Sequence, residues 1–302
     1  MKQLVILSGK GGTGKTSVSA SFAHLTHLNP YRTGVFADAD VDASNLELVL
    51  APQQTEQEPF EGGRLAVIDP DRCVDCGVCE EVCRFDAIVK GAGARKVDGI
   101  SCEGCAACVH VCPEQAIHME DQVAGYWARS ISRYGHLLHA HLYPAQENSG
   151  KLVTLIKQRA RLLALDSEAD LLLVDGPPGI GCPVISAVSG ADYALVVAEP
   201  TTSGVHDMER VLKTTAHFKV PSAVCINKAD IYPEGCADIE ETCHAQSLPL
   251  LGKIPYDVEV TRAMVQGEPV TASAPDSEAA EALRSVYERV MQWIGLEGER
   301  DE

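Results

Sequence analysis

Aromatic side chains are scarce, at 5% of a 302-residue chain, so a core drawn from its 45% of hydrophobic residues must be mostly aliphatic. Basic residues are few as well: 25 Lys and Arg face 43 Asp and Glu, a formal charge of −18. That field repels phosphate backbones and anionic lipid, so no nucleic-acid partner and no membrane is expected, and a protein partner with a basic docking patch fits better. No apolar run approaches the ~20 residues that span a bilayer. No secretory leader precedes the cysteines: Met1–Ser8 (MKQLVILS) is a short strand pattern running straight into a Gly-rich loop. The expectation is a cytoplasmic protein whose twelve thiols stay reduced and available to metal.

Continuous apolar runs without alternation mark strands buried on both faces: Leu4–Leu7, Thr33–Ala37, Leu171–Asp175, Tyr193–Glu199 and Ser222–Asn227. Helical patterns lie between them, over Thr16–Leu28 and near Val153–Leu165, His206–His217 and Asp238–Gln246. This rhythm predicts an α/β fold with a doubly wound, mostly parallel sheet. It breaks at the polar, turn-rich stretch Gln53–Gly63, which reads as a junction, and resumes by about Asp121. Eight of the twelve cysteines fall between. The expected organisation is one discontinuous domain, 1–62 with 121–302, and a small α+β insert over 63–120. Near the C-terminus, Leu283, Val286, Val290 and Ile294 share one helical face, Ser277 is placed as N-cap, and the tail Glu297–Glu302 is acidic. Lacking a basic face, this helix reads as a packing helix rather than a membrane-surface one.

Gly9–Thr16 (GKGGTGKT) follows a strand and precedes a helix, the context that gives a G-x-x-x-x-G-K-[ST] loop its meaning. Gly11, Gly12, Thr13 and Gly14 would close backbone N–H groups around phosphates at the helix N-terminus, with Ser17 following. Lys15 would reach the β/γ-phosphates, and the Thr16 hydroxyl would bind Mg²⁺.

With Lys10 as an early second lysine, the loop resembles the deviant Walker A family of MinD, ParA, Mrp-type carriers and the nitrogenase iron protein. The resemblance implies that Lys10 reaches a partner chain's phosphates across an ATP-promoted dimer, a homodimer or a pseudo-symmetric heterodimer. It implies that Asp40, in VFADADVDASNL, orients the attacking water, with Asp38 near the Mg²⁺ shell and Asp42 a lesser helper. It implies that Asp175, in LLLVDGPPGIG, holds Mg²⁺, while Gly179 or Gly181 senses the γ-phosphate. Asn227–Asp230 (NKAD) is ambiguous between guanine and adenine reading. The deviant loop favours ATP/ADP, with Asn227 on the base and Pro255 and Asp257 (IPYD) as further contacts.

Cys73, Cys76, Cys79 and Cys83 form C-x2-C-x2-C-x3-C, and Cys102, Cys105, Cys108 and Cys112 repeat it; the flanking segments Cys73–Ile88 and Cys102–Ile117 align without a gap. The run resembles that of bacterial two-cluster ferredoxins. The resemblance implies two [4Fe–4S] clusters with crossed ligands: Cys73, Cys76, Cys79 and Cys112 on one, Cys102, Cys105, Cys108 and Cys83 on the other. Paired zinc sites would need a longer spacer between C-x2-C pairs, and a labile corner would leave a [3Fe–4S] form. Arg84 stands where proline is expected after Cys83, either donating to a cluster sulfur or simply exposed.

Four cysteines lie outside the run. Cys182 reads as a small buried thiol, or as one meeting its symmetry mate, and Cys225 as strand core. Cys236 and Cys243, two turns apart, would share a helix face. His136, His139 and His141 suit a polar strand face, with a metal site as the alternative. Pro144–Val153 reads as a polar loop leading into a helix, its Ser149 and Lys151 available to a second protomer or a client.

The combination resembles MinD-superfamily ATPases carrying an inserted ferredoxin domain. Three functions follow as expectations: an ATPase whose nucleotide cycle gates electron transfer through the clusters to a redox partner; an ATP-regulated scaffold or carrier delivering a cluster to a client protein; and, least favoured, a MinD/ParA-like spatial organiser.

Overall fold

In the computed structural model the described residues are 1–144, 146 and 149–297. In chain order the elements are β1 (Lys2–Ser8), α1 (Lys15–Leu28), β2 (Gly34–Asp38), α2 (Leu46–Leu50), β3 (Gln53–Ile68), α3 (Val78–Val82), β4 (Ile88–Lys90), β5 (Arg95–Val97), α4 (Ala107–Val111), β6 (Ile117–Ser132) and β7 (Gly135–Leu142). There follow α5 (Ser149–Asp166), β8 (Leu171–Pro178), α6 (Cys182–Val188), β9 (Tyr193–Ala198), α7 (Thr202–His217), β10 (Ser222–Asn227), α8 (Pro233–Ala245), β11 (Leu250–Ile254), α9 (Val258–Gln266), α10 (Val270–Ser273) and α11 (Glu278–Trp293).

The nine-stranded sheet runs β11-β10-β9-β1-β8-β2-β7-β6-β3. From β11 to β7 every neighbouring pair is parallel. The two residues between β6 and β7 leave no room for a crossover, so that pair is a hairpin. The apolar runs fill the sheet as their composition requires. Leu4, Ile6, Phe36, Leu171, Leu173, Leu195 and Val197, alternate residues on their strands, pack with Val18 and Phe22 of α1 and with Leu283, Val286 and Val290 of α11. Truncating Phe36, fully buried there, to Ala would cost roughly 3–5 kcal/mol. Ser277 caps α11 by accepting from Ala280 N at 3.2 Å, and Ile294 is buried at its end. The tail beyond Glu297 lies outside the described residues.

Register decides what meets at the carboxyl ends of the strands. β8 lies between β1 and β2, pairing Ser8 with Pro178 and Asp38 with Asp175. The Gly-rich loop, Asp175 and Asp38 thus share one sheet edge, where open α/β sheets bind ligands.

The chain divides into two compact units: Met1–Gln57 with Trp127–His141 and Ser149–Glu302, and Glu58–Tyr126 with Leu142–Asn148. The stretch Gln53–Gly63 is strand β3 rather than a turn-rich junction. It lies at the edge of the sheet with Glu56–Pro59 exposed, and a strand solvated on both faces needs no apolar residues. The second unit is wider than the expected 63–120 because β3 and β6 both cross its boundary. α5 begins at Ser149, so Ser149 and Lys151 lie in a first helical turn and not in a loop; Ala145, Glu147 and Asn148 of that stretch lie outside the described residues.

The sequence repeat is a backbone repeat in the second unit. Gly77 and Ala106 start α3 and α4 in the left-handed region, at φ 83° and 61°. Cys83 and Cys112 end the two helices at φ −72° and −69°. Asp75 and Gly104 match at φ 55° and 62°, and Asp86 and Gln115 at 51° and 49°. Three left-handed positions recurring at one spacing are too costly to be incidental. Cys79, Cys108, Ala66, Ile88 and Ile117 form the unit's small core.

Candidate functional site

The loop between β1 and α1 curls through Gly12 and Gly14, at φ 79° and 90°. A Cβ on Gly14 would stand 2.2 Å from Asn227 Nδ2. That amide donates to Thr13 O at 2.7 Å, and Lys228 Nζ donates to Gly12 O at 3.1 Å, so the segment after β10 braces the loop. Lys15 is buried, with Nζ 3.5 Å from Asp40 Oδ2 and 4.0 Å from Asp175 Oδ1. Burial alone would lower its affinity for a proton; the carboxylates of Asp175, Asp40 and Asp38 outweigh that and hold the ammonium above its usual range. Thr16 Oγ1 and Ser19 Oγ donate to the two oxygens of the fully buried Asp175, at 2.7 and 2.8 Å.

Asp38 is also fully buried, and burial together with neighbouring Asp175 pushes its carboxyl up to about 7. Its oxygens accept from Asp40 N at 3.1 Å, Ser44 Oγ at 2.7 Å and Leu46 N at 2.9 Å, which organises the turn into α2. Burial raises Asp40 as well, against the pull of Lys15. The loop, Asp40, Asp42 and Pro177–Pro178 bound a cleft of about 510 Å³. Three carboxylates around one lysine leave an excess of negative charge that a divalent cation would neutralise. Thr13 Oγ1 is buried there without a partner. Both observations fit Mg²⁺ and a phosphate group.

The other predicted nucleotide residues sit differently. Asn227 reaches the loop from behind. Asp257 caps α9, accepting from Glu259 N at 2.9 Å and from Ala279 N at 3.4 Å, so its carboxylate is already committed. Pro255 is half-buried beside it. Gly179 N donates to Ser8 O at 2.9 Å, and Gly181 is the N-cap of α6. Lys10 Nζ lies 2.8 Å from Glu199 Oε2 and 3.2 Å from Thr201 Oγ1. Glu199 was not singled out from sequence; only the pairing of β1 with β9 brings it to the loop.

In the second unit the eight cysteines are free and fall into two recesses. Cys73, Cys76, Cys79 and Cys112 line one; Cys83, Cys102, Cys105 and Cys108 line the other. The fourth cysteine of each run has crossed to the recess of the other because it ends its helix in extended backbone. Cys76 and Cys105 are exposed, whereas Cys79 and Cys108 are buried, and burial pushes both of the latter thiols up. Ala116 N donates to Cys112 Sγ at 3.3 Å. Soft donors in fours, two runs exchanging one member, are a donor set suited to iron–sulfur cores. Arg84 is exposed and lines neither recess. Arg95, unmarked in the sequence, lines the first and pairs with Asp75 at 3.1 Å and Glu80 at 2.7 Å. Cys182 is exposed, not a buried thiol, because it opens the short helix α6. Cys225, Cys236 and Cys243 are buried, and burial pushes Cys225 up to about 12 and Cys243 to about 11.

A phosphate-binding loop on β1, buried aspartates on the next two strands and a mostly parallel sheet define a P-loop nucleotide-binding protein. The profile of the CobQ/CobB/MinD/ParA nucleotide binding domain matches residues 4–270, and the chain belongs to that family. An uncharacterized protein of Methanocaldococcus jannaschii is 32% identical over 292 residues, covering 97% of both chains. The septum site-determining protein MinD of Bacillus subtilis is 28% identical over 296 residues, covering 95% of this chain and 88% of that one. Among solved structures, MinD of Pyrococcus horikoshii complexed with Mg-ADP superposes with a TM-score of 0.60 at 20% identity over 98% of each chain, a likeness of fold. Among the described residues no helix is long and apolar enough to cross a membrane.

Proposed function

We propose that this chain is a cytoplasmic ATP-hydrolysing iron–sulfur protein, a deviant Walker A ATPase whose nucleotide cycle gates electron transfer through two [4Fe–4S] clusters to a protein partner. The observation that carries the reading is the sorting of eight cysteines into two recesses with their fourth members exchanged. Residues 63–120 would be the ferredoxin-like insert, and 1–62 with 121–302 the ATPase domain.

At the nucleotide site the geometry supports the roles that the resemblance implies. Gly11, Gly12, Thr13, Gly14 and Ser17 would wrap the phosphates, and Lys15 would exchange its contact with Asp40 for the β/γ-phosphates. Thr16 and Asp175, already bonded to each other, would hold Mg²⁺, which supplies neutralising charge to the phosphates. Asp40, released by Lys15, would orient water in line with the γ-phosphate, and Asp38 would keep the Asp40–Leu46 turn in place. Lys10 would serve the partner chain of an ATP-promoted homodimer or pseudo-symmetric heterodimer. Such phosphate-driven ordering of the turn after β2 is the means by which a nucleotide would alter the second unit's access to a client.

The clusters would supply one-electron chemistry; Cys73, Cys76, Cys79 and Cys112 would hold one, and Cys102, Cys105, Cys108 and Cys83 the other. The carrier reading draws on the exposure of Cys76 and Cys105, which leaves a corner of each recess open to a client's thiolates. The organiser reading draws on the whole-length likeness to MinD; the buried apolar face of α11 offers it no membrane helix. Iron and acid-labile sulfide, assayed on anaerobically prepared protein, test the proposal: about eight of each per chain support it, while zinc at two per chain in their place would overturn it.

A further inference from the structure

His139 and His141 stand two apart on β7, so their side chains leave the same face of the strand. On that face lies Glu47, in the first turn of α2, which Leu46, Val49 and Leu50 anchor in the core. The carboxylate meets both rings at once. His139 Nδ1 contacts Glu47 Oε2, and His141 Nε2 lies 2.7 Å from Glu47 Oε1. The rings are nearly perpendicular, 89° apart with centroids at 6.3 Å, so two nitrogens converge on one carboxylate rather than stacking. One donor atom from each residue falls within 4.8 Å of the others. His136, on the opposite face of the strand, takes no part.

We propose that Glu47, His139 and His141 bind one divalent first-row transition ion of the zinc class, at a site separate from the nucleotide and cysteine sites. The donor set is two neutral imidazoles and a carboxylate, without thiolate, which suits zinc or ferrous iron over magnesium or calcium. Zinc holds such ligands at about 2.0–2.2 Å. Tetrahedral geometry then places donors roughly 3.3 Å apart, so the three atoms need only modest side-chain rotation to close around an ion.

A second feature is characteristic of ligating histidines. His139 Nε2, the nitrogen turned away from the carboxylate, lies 3.1 Å from the buried hydroxyl of Ser130 on β6. That hydroxyl can accept the Nε2 proton and leave the Nδ1 lone pair for the metal, the outer-shell arrangement that fixes the tautomer of a metal-bound imidazole. His141 is half-buried and gives the ion a route in from solvent, and three protein ligands leave a fourth position for water. Glu47 follows Leu46, whose N–H is bonded to Asp38, so an ion here would fix the helix that ends the Asp38–Leu46 turn.

The test is a Zn²⁺ titration of the full chain labelled with ¹⁵N-histidine, read at the imidazole nitrogens and assigned with His139→Gln and His141→Gln. Zinc taken up by cysteine thiolates is invisible to this readout. The expected result is that His139 Nδ1 and His141 Nε2 move together to metal-bound positions at one equivalent per site. Glu47→Gln and His141→Gln would abolish the movement, and Ser130→Ala would weaken it about 10–100-fold. Should Glu47→Gln fail to fold, His141→Gln and Ser130→Ala carry the same comparison. Imidazole signals that stay in place through saturating Zn²⁺, or that move equally in His141→Gln at His139, would overturn the site and leave the three residues a hydrogen-bonded cluster only.

Discussion

Glu199 holds two lysines with one carboxylate: Lys10 Nζ is 2.8 Å from Oε2, and Lys228 Nζ is 2.9 Å from Oε1. Burial pushes Glu199 up, yet the bonds to these two ammoniums bring it below the usual carboxylate range. Lys10 is therefore tied to its own chain, at the mouth of the loop it opens. If Lys10 serves a second chain, it must first leave Glu199. Glu199→Gln is predicted to favour Mg-ATP-driven dimerisation by roughly fivefold for each protomer that carries it, taking the partly exposed pair at about 1 kcal/mol. Lys10→Ala is predicted to bind nucleotide as a monomer. Sedimentation velocity with a slowly hydrolysed ATP analogue measures both, and equal dimerisation of Glu199→Gln and the unaltered chain would contradict the latch.

Gly14→Ala tests the brace behind the loop. The new methyl meets Asn227 Nδ2 at 2.2 Å, and the backbone at φ 90° strains any L side chain. Strain of about 1–2 kcal/mol and the lost Asn227–Thr13 bond, about 1 kcal/mol, together predict a melting point lower by roughly 5 °C. The further rise in melting point on adding Mg-ADP should vanish, whereas Asn227→Ala should keep a reduced rise. A Gly14→Ala variant still stabilised by Mg-ADP would show that the loop tolerates displacement.

The Glu47–histidine cluster predicts a pH dependence in the presence of a chelator. Glu47 sits at about 2 against an ordinary 4.5, so its contribution is fully present above 4.5 and is lost as pH falls through 2. His141 is raised from 6.5, chiefly by its bond to Glu47, so its share is full below 6.5 and fades as pH climbs through the raised value. Both shifts describe one interaction and are not summed. Denaturant unfolding should therefore find Glu47→Gln less stable by roughly 2–3 kcal/mol between about pH 4.5 and 6.5, converging with the unaltered chain towards pH 2. A deficit that does not change with pH would mean that packing alone is lost.

The exchanged cysteines make a sharper prediction than their number does. Cys112→Ser should disturb the recess of Cys73, Cys76 and Cys79, although it lies in the run of Cys102, Cys105 and Cys108. Cys83→Ser should do the converse. Each should leave about four irons per chain with an otherwise unchanged second signal. Loss of both clusters in either variant, with the unit still folded by circular dichroism, would contradict independent recesses.

Much of this was legible in the sequence for definite reasons. Apolar runs such as Leu171–Val174, rich in Leu and Val and short, read as strands buried on both faces, and Gly9–Thr16 carries its own context. The resemblance of the eight-cysteine run to two-cluster ferredoxins already implied the sets that line the two recesses. What escaped was set by tertiary contact. β3 looked like a junction because an edge strand can be polar on both faces. Glu199 is an ordinary acid until β9 pairs with β1, and Arg95 an ordinary base until it pairs with Asp75 and Glu80. Glu47 is 92 residues from His139 and signals nothing locally. Asp257 is placed at the nucleotide by resemblance, and the structure adds that its carboxylate caps α9, a role the sequence alone did not mark.

The most direct test of the central claim is electron paramagnetic resonance of the dithionite-reduced, anaerobically prepared chain, recorded with and without Mg-ATP. Two interacting S = 1/2 signals whose shape or intensity changes with nucleotide are the predicted result. Two stable signals indifferent to Mg-ATP would contradict nucleotide gating, and the absence of any iron signal after reconstitution would contradict the clusters themselves.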